Sequence, residues 1–368
     1  MPRLLQCGRR QERGPASPDC AASRPYRDGS RGNQRKRGLI MNLIPVGIIG
    51  TGKYVPERVL TNKELEQMVE TNDEWIVTRT GMRERRIAAP EQATSDLAYE
   101  ASVKALDSAG ITAEDLDLIV VATITPDMFF PSTASLLQDR LGAKRAAAFD
   151  LSAACSGFIY GLATAANMVA TGMYKNVLVV GAECLSRITD YTDRNTCILF
   201  GDGAGAVVLG EVPAGRGFKS FDLGSDGSGG HLLKIPGGGS RIPSTAESVE
   251  QKHHFLKMAG NDVFKFAVRV MGAAADDALR KAGLTKQDID LLIPHQANIR
   301  IIQAALNRLD LPEEKAVINL DRYGNVSAAS IPLALCDAVE QGRVSEGDTL
   351  LMVGFGGGLT WGAAVLVW

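Results

Sequence analysis

The chain has 368 residues, of which 45% are hydrophobic, 22% charged and 6% aromatic, and its formal net charge is −2. That balance suits a globular protein with one large double unit or two domains, and no apolar run approaches the roughly 18 residues of a membrane span. Residues 1–40 carry ten Arg/Lys against three Asp/Glu, so the remaining 328 residues are net acidic and a case for nucleic-acid binding rests on the leader alone.

This leader is rich in Arg, Gly, Pro and Ser, has no h-region and cannot bury enough apolar surface to fold, so it is expected to be disordered. An organellar transit peptide, a basic nucleic-acid arm and an upstream extension before a start at Met41 all fit it. The last is preferred, because a compact apolar strand follows Met41 at once and the leader holds no amphipathic helix.

Val46-Gly47-Ile48-Ile49-Gly50-Thr51-Gly52 predicts a strand ending in a Gly-rich turn, without the GxGxxG opening a helix that a dinucleotide site requires. Thr61–Glu70 predicts a helix with Thr61 as N-cap and Glu64 completing a capping box. In the next segment Trp75 stands among Arg79, Arg83, Arg85 and Arg86. That pattern is either a solvated helix end or a surface that stacks a base and holds phosphates. Thr94–Ala109 predicts an amphipathic helix closed by Gly110.

The Ala109–Ile119 segment, which leads into a strand at 120–123, is echoed by Ala282–Leu292. A second echo joins 177–180 and 201–209 to 350–358 and 363–367. Both run in the same order, so the chain reads as two copies of one α/β unit, 43–215 and 216–368, with mostly parallel sheets covered on both faces. Between them, residues 222–253 form a Gly/Ser-rich excursion expected to line a groove, and Asn261–Ala282 predicts a long helix.

Ala148–Leu151 predicts a short buried strand, and small and apolar residues recur with helical spacing from Ser156 on. Cys155 therefore falls at a strand-to-helix turn, where free N–H groups and the helix dipole would favour the nucleophilic thiolate. The segment alone equally allows a small buried Cys. His295 follows an apolar strand, Asn325 sits in a turn before a small-residue helix, and Gly356-Gly357-Gly358 leaves backbone N–H groups free. Singly these suit a core histidine, a helix cap and a tight hairpin. Together with Cys155 they supply a nucleophile, a proton handler or hydrogen-bond donor, a second donor and backbone donors for an oxyanion, a set for thioester chemistry. The six cysteines (Cys7, Cys20, Cys155, Cys184, Cys197, Cys336) form no CxxC pair or Cys/His cluster, which argues against a zinc site and for a cytosolic setting.

The ordered set Ala154-Cys155-Ser156-Gly157, Pro294-His295-Gln296-Ala297-Asn298, 324–330 (GNVSAAS) and 354–362 (GFGGGLTWG) resembles β-ketoacyl-acyl-carrier-protein synthase III of the thiolase-fold superfamily, over Met41–Trp368. The resemblance implies a duplicated five-layer α-β-α-β-α sandwich, a homodimer, and no cofactor, acyl-CoA being a substrate. It implies that Cys155 takes an acyl group from acyl-CoA, and that His295 and Asn325 stabilise the enolate left when malonyl-carrier protein loses CO₂. The N–H groups of Cys155 and Gly357 would then hold the oxyanion. It further assigns Trp75, Arg79 and Arg194 to the adenine and phosphates of CoA, and Phe264, Asn298 and Ile301 to its pantetheine tunnel. Arg300, Lys265 and Arg308 would contact the acidic carrier protein. Phe130 would close the acyl pocket of the dimer mate, which implies a short starter such as acetyl.

Relatives on that fold separate by sequence. A thiolase needs a second Cys where Phe355 stands, elongating synthases a second His at Asn325, and chalcone-synthase-like enzymes a Pro in the last loop. A synthase loading other acyl groups in secondary metabolism keeps the same triad and stays open, as does, more remotely, a non-catalytic partner of the same fold.

Overall fold

A computed structural model describes residues 43–368, and the leader expected to be disordered lies outside the described residues. Two sheets organise the chain. The first has the strand order Val46–Tyr54, Asp202–Glu211, Val177–Cys184, Leu118–Ala122, Ala147–Leu151. The second has the order Leu291–Pro294, Thr349–Gly356, Thr360–Val367, Gly217–Ser225. Neither sheet is mostly parallel. Leu118–Ala122 runs parallel to both its neighbours and Leu291–Pro294 to its one, while the remaining pairings are antiparallel. The connections decide this. Three residues between Gly356 and Thr360 can only reverse the chain, and the link before Asp202 contains only short helices instead of a crossover helix.

Helices Gly157–Ala170 and Ser330–Glu340 lie between the sheets and touch both. The central core joins Phe158, Leu162 and Ile331 to Val120 and Val179 of one sheet and to Ile293 and Met352 of the other. Gly157–Ala170 is buried around most of its circumference, as a helix held between two sheets must be. Thr94–Ala109 and Thr133–Leu141 cover the outer face of the first sheet, and Gly260–Ala282 with Ile299–Leu309 that of the second. The result is a five-layer α-β-α-β-α sandwich. Each central helix is entered through a three-residue 3₁₀ turn whose first residue is left-handed, Ala154 at φ 48° and Ser327 at φ 46°.

Three sequence expectations shift. The first strand continues through Gly50 and Gly52 to Tyr54 because those glycines are contact points. A β-carbon at Gly50 would lie 2.4 Å from the Ala105 carbonyl, and one at Gly52 2.3 Å from the Ala101 carbonyl. Of the Thr61–Glu70 helix only Asn62–Leu65 forms, although Thr61 and Glu64 make the expected capping box. Ala147–Leu151 is an edge strand, half-buried with Ala147 exposed, rather than a buried one. Among the described residues no helix is long and apolar enough to cross a membrane.

Candidate active site

The turn carrying Cys155 follows the edge strand and is pinned to the second sheet. Thr360 Oγ1 donates to the Ala153 carbonyl at 2.9 Å and lies 2.8 Å from Ser156 Oγ. Glycine makes the close approach possible, since a β-carbon at Gly356 would stand 2.5 Å from the Cys155 nitrogen. Gly354 faces both residues at once, with the Cys155 carbonyl at 3.4 Å and His295 Cβ at 3.5 Å from its β-carbon position.

His295 begins where Leu291–Pro294 ends, and its N–H donates to the Val353 carbonyl at 2.8 Å. Its ring meets the Phe355 ring edge-on at 5.5 Å, and Nδ1 is buried with no partner among the described residues. Gln296 anchors the turn by donating to the carbonyls of Pro294 and Val317 at 2.8 and 2.9 Å, while its Oε1 accepts from Asn319 N–H at 3.0 Å. Asn319 is held in turn by buried Asp337 at 2.8 Å.

Asn325 is clamped by its backbone. Its N–H donates to the Leu199 carbonyl at 2.8 Å and its own carbonyl accepts from Gly201 N–H at 3.0 Å. Ser327 N–H donates to Asn325 Oδ1 at 2.8 Å, which leaves the amide NH₂ for the cavity. The bland readings, a local turn for Asn325 and a hairpin for the glycines, therefore hold and leave room for the functional ones.

Cys155, His295, Asn325, Gly356 and Gly357 all line one cavity of about 440 Å³. Phe264, Asn298 and Ile301 line it too, as do Leu233 and Ile235 of the 222–253 excursion. Burial sets the electrostatics. It pushes the Cys155 thiol up to about 12, with the nearby Glu183 carboxylate acting in the same direction. Burial thus acts on the free thiol against the thiolate that a helix start would favour. Burial also lowers His295 to about 3, so its imidazole is neutral.

Arg79 and Arg194 stand over the Trp75 ring at 4.8 and 5.1 Å, and the Arg79 carbonyl accepts from Asn298 Nδ2 at 2.9 Å. The Trp/Arg cluster therefore adjoins the cavity wall. Arg300 lies over the Phe264 ring at 5.2 Å, and Lys265 is exposed with Asp262 at 3.8 Å. Arg308 differs, being paired with Asp276 at 2.9 Å and lying against Gly272. Phe130 is 85% exposed beside exposed Phe129, and it does not line the cavity of its own chain.

Sequence reasoning passes over Glu183 and Ser327. Glu183 is fully buried and accepts from Thr125 Oγ1 at 2.6 Å, Thr123 Oγ1 at 3.2 Å and Ile124 N–H at 3.1 Å; burial raises it to about 7. Its one signal was an acid in an otherwise apolar strand. The Ser327 hydroxyl is buried beside Cys155 and Glu183 without closing a normal hydrogen bond.

Comparison with known proteins agrees with this geometry. Residues 149–227 match the family described as 3-oxoacyl-[acyl-carrier-protein (ACP)] synthase III, and residues 279–368 match its C-terminal family. A beta-ketoacyl-[acyl-carrier-protein] synthase III of Desulfitobacterium hafniense (strain Y51) is 62% identical over 326 residues, 89% of this chain and 98% of the relative. The crystal structure of 3-oxoacyl-[acyl-carrier-protein] synthase III from Aquifex aeolicus VF5 superposes with a TM-score of 0.82 at 47% identity, covering 88% of this chain and all of that one. The priming beta-ketosynthase of the R1128 polyketide biosynthetic pathway gives a TM-score of 0.82 at 38% identity, covering 90% and 98%.

Proposed function

The chain belongs to the 3-oxoacyl-[acyl-carrier-protein] synthase III family, thiolase-fold acyltransferases of the initiating condensation in type II fatty-acid synthesis, and from that premise we propose what each residue of its cavity does. Cys155 attacks the thioester carbon of an acyl-CoA; the C–S bond to CoA breaks, and the thiol proton of Cys155 ends on the CoA sulfur. Malonyl-carrier protein then enters. Neutral His295 and the Asn325 amide donate to its thioester carbonyl, so that the electron pair left by departing CO₂ is held as an enolate. The enolate carbon attacks the acyl-Cys carbonyl, whose oxyanion rests on the N–H groups of Cys155 and Gly357. The Cys155 sulfur leaves as thiolate and takes a proton from solvent, and 3-oxoacyl-carrier protein is released.

The observation that carries this reading is the meeting of Cys155, His295, Asn325 and Gly357, brought from separate turns of both sheets, in one cavity. A neutral histidine can donate to an enolate without needing an acidic medium, and burial keeps it neutral.

Trp75, Arg79 and Arg194 form the outer CoA site, with adenine stacking where the guanidiniums now lie. Phe264, Asn298 and Ile301 line the pantetheine path. Arg300, Lys265 and Arg308 receive the acidic carrier protein. The starter is short, acetyl, because Phe130 reaches the acyl pocket of a second copy in a homodimer; its exposure in the single chain supports this. The two halves, 43–215 and 216–368, are copies of one unit, acyl-CoA is a substrate rather than a cofactor, and the enzyme works in the cytoplasm.

Intact-protein mass after incubation with acetyl-CoA tests the nucleophile: an acetyl adduct is expected on the wild type and none on Cys155→Ala. Preference for branched or long acyl-CoA over acetyl-CoA would overturn the short-starter assignment and favour the priming role of the polyketide relative. No adduct with any acyl-CoA would overturn the role of Cys155.

A further inference from the structure

Arg85 is the largest fully buried side chain of the described residues, and no carboxylate among them forms an ion pair with it. A buried guanidinium without a counter-ion is costly, and burial lowers its pKa to about 10. Its partners are one side-chain amide and backbone carbonyls. Nε donates to the Ile198 carbonyl at 3.1 Å, and Nη2 donates to the same oxygen. Nη1 donates to Asn62 Oδ1 at 2.5 Å and to the Arg83 carbonyl at 3.4 Å.

Both ends of this network reach the active site. Ile198 precedes Leu199, whose carbonyl takes the Asn325 N–H, and Phe200 forms a parallel bridge with Asn325. The Arg85 stem runs beneath this pair. A β-carbon at Gly201 would come within 3.4 Å of Arg85 Cβ, and one at Gly324 within 3.1 Å of Arg85 Cγ. At the other end, Asn62 Nδ2 donates to Asp73 Oδ1 at 2.8 Å and to the Met82 carbonyl at 3.0 Å. Asp73 opens the Asp73–Thr80 helix that carries Trp75 and Arg79.

We infer that Arg85 is a positioning residue for the malonyl half of the reaction: its guanidinium fixes the Ile198–Gly201 segment, thereby the backbone and amide direction of Asn325, and ties them through Asn62 to the helix bearing Trp75 and Arg79. The inference rests on the role given to Asn325 above. Cys155 is pinned separately by Thr360 and the 354–358 hairpin, so its chemical step is not under Arg85 control, whereas acetyl-CoA binding feels Arg85 through the Asp73–Thr80 helix.

The test separates the half-reactions in Arg85→Met, which keeps the stem and removes the donors, and in Arg85→Lys, which restores a cation. Acylation at saturating acetyl-CoA, followed by mass, stays within about threefold of the wild type, while the acetyl-CoA concentration needed for half-maximal acylation rises. Turnover of malonyl-carrier protein on the preformed acyl-enzyme falls about tenfold or more in kcat with KM nearly unchanged, and Arg85→Lys recovers part of it. Should Arg85→Met fail to fold, Asn62→Ser probes the same network and, with acetyl-CoA saturating, should slow the same half-reaction selectively. Equal loss in both half-reactions, or none in either, overturns the inference. Asn325→Ala in parallel tells the two readings apart. If it leaves the malonyl step intact, the role of Asn325 falls; if it blocks that step while Arg85→Met does not, only the role of Arg85 falls.

Discussion

His295 and Glu183 are both buried beside the nucleophile, and burial moves their pKa values in opposite directions, to about 3 and about 7. In the unfolded chain His295 takes up a proton as pH falls through its ordinary value near 6.5, whereas the folded chain does not. The unfolded state then binds more protons, and stability drops as pH falls below that point. His295 should therefore cost about 2 kcal/mol between pH 8 and pH 5, and His295→Gln should lose that much less over the same interval by urea denaturation. Glu183 has the reverse sign. Its folded form holds a proton that the unfolded chain releases between its ordinary value near 4.5 and about 7, so its contribution weakens as pH rises through that window. Glu183→Gln should stabilise the protein more at pH 8 than at pH 5; an equal change at both would show that this carboxyl does not titrate with folding.

Within elements, glycines serve two physical ends that sequence cannot tell apart. Gly52 lets a strand press on a helix, whereas Gly110 ends that helix at φ 66° with nothing within 4 Å of its β-carbon position. Gly52→Ala forces backbone against backbone and should cost about 3 kcal/mol or more by overpacking. Gly110→Ala pays only for the left-handed conformation, about 1 kcal/mol. Thermal melts of the pair check the order, and a Gly52→Ala as mild as Gly110→Ala would mean that the helix can slide away. The capping box at Thr61 was legible because its partners lie three residues apart; the helix length was not, since after Leu65 the chain goes on in turns.

For the whole molecule, Ala147–Leu151 ends the first sheet and Phe129 and Phe130 stand exposed, and the proposed homodimer would cover the two phenylalanines. Sedimentation should give twice the chain mass, and Phe130→Ala should widen acyl-CoA preference toward longer chains; a monomer that retains full activity would sink the shared pocket. Arg300→Glu should raise KM for malonyl-carrier protein, most strongly at low salt, while leaving acetyl-CoA acylation unchanged. The sequence by itself determined the family motifs, the Thr61 capping box and the Gly110 helix end, since each depends on residue type or on neighbours a few positions away. Only the tertiary structure decided which groups lose water and which strands reverse. Arg83, Arg85 and Arg86 read alike along the chain, yet Arg85 alone is fully buried and reaches the Asn325 support. Cys155 shows the same division: its place at a helix start was local, but the burial that pushes its thiol up comes from segments far away in sequence.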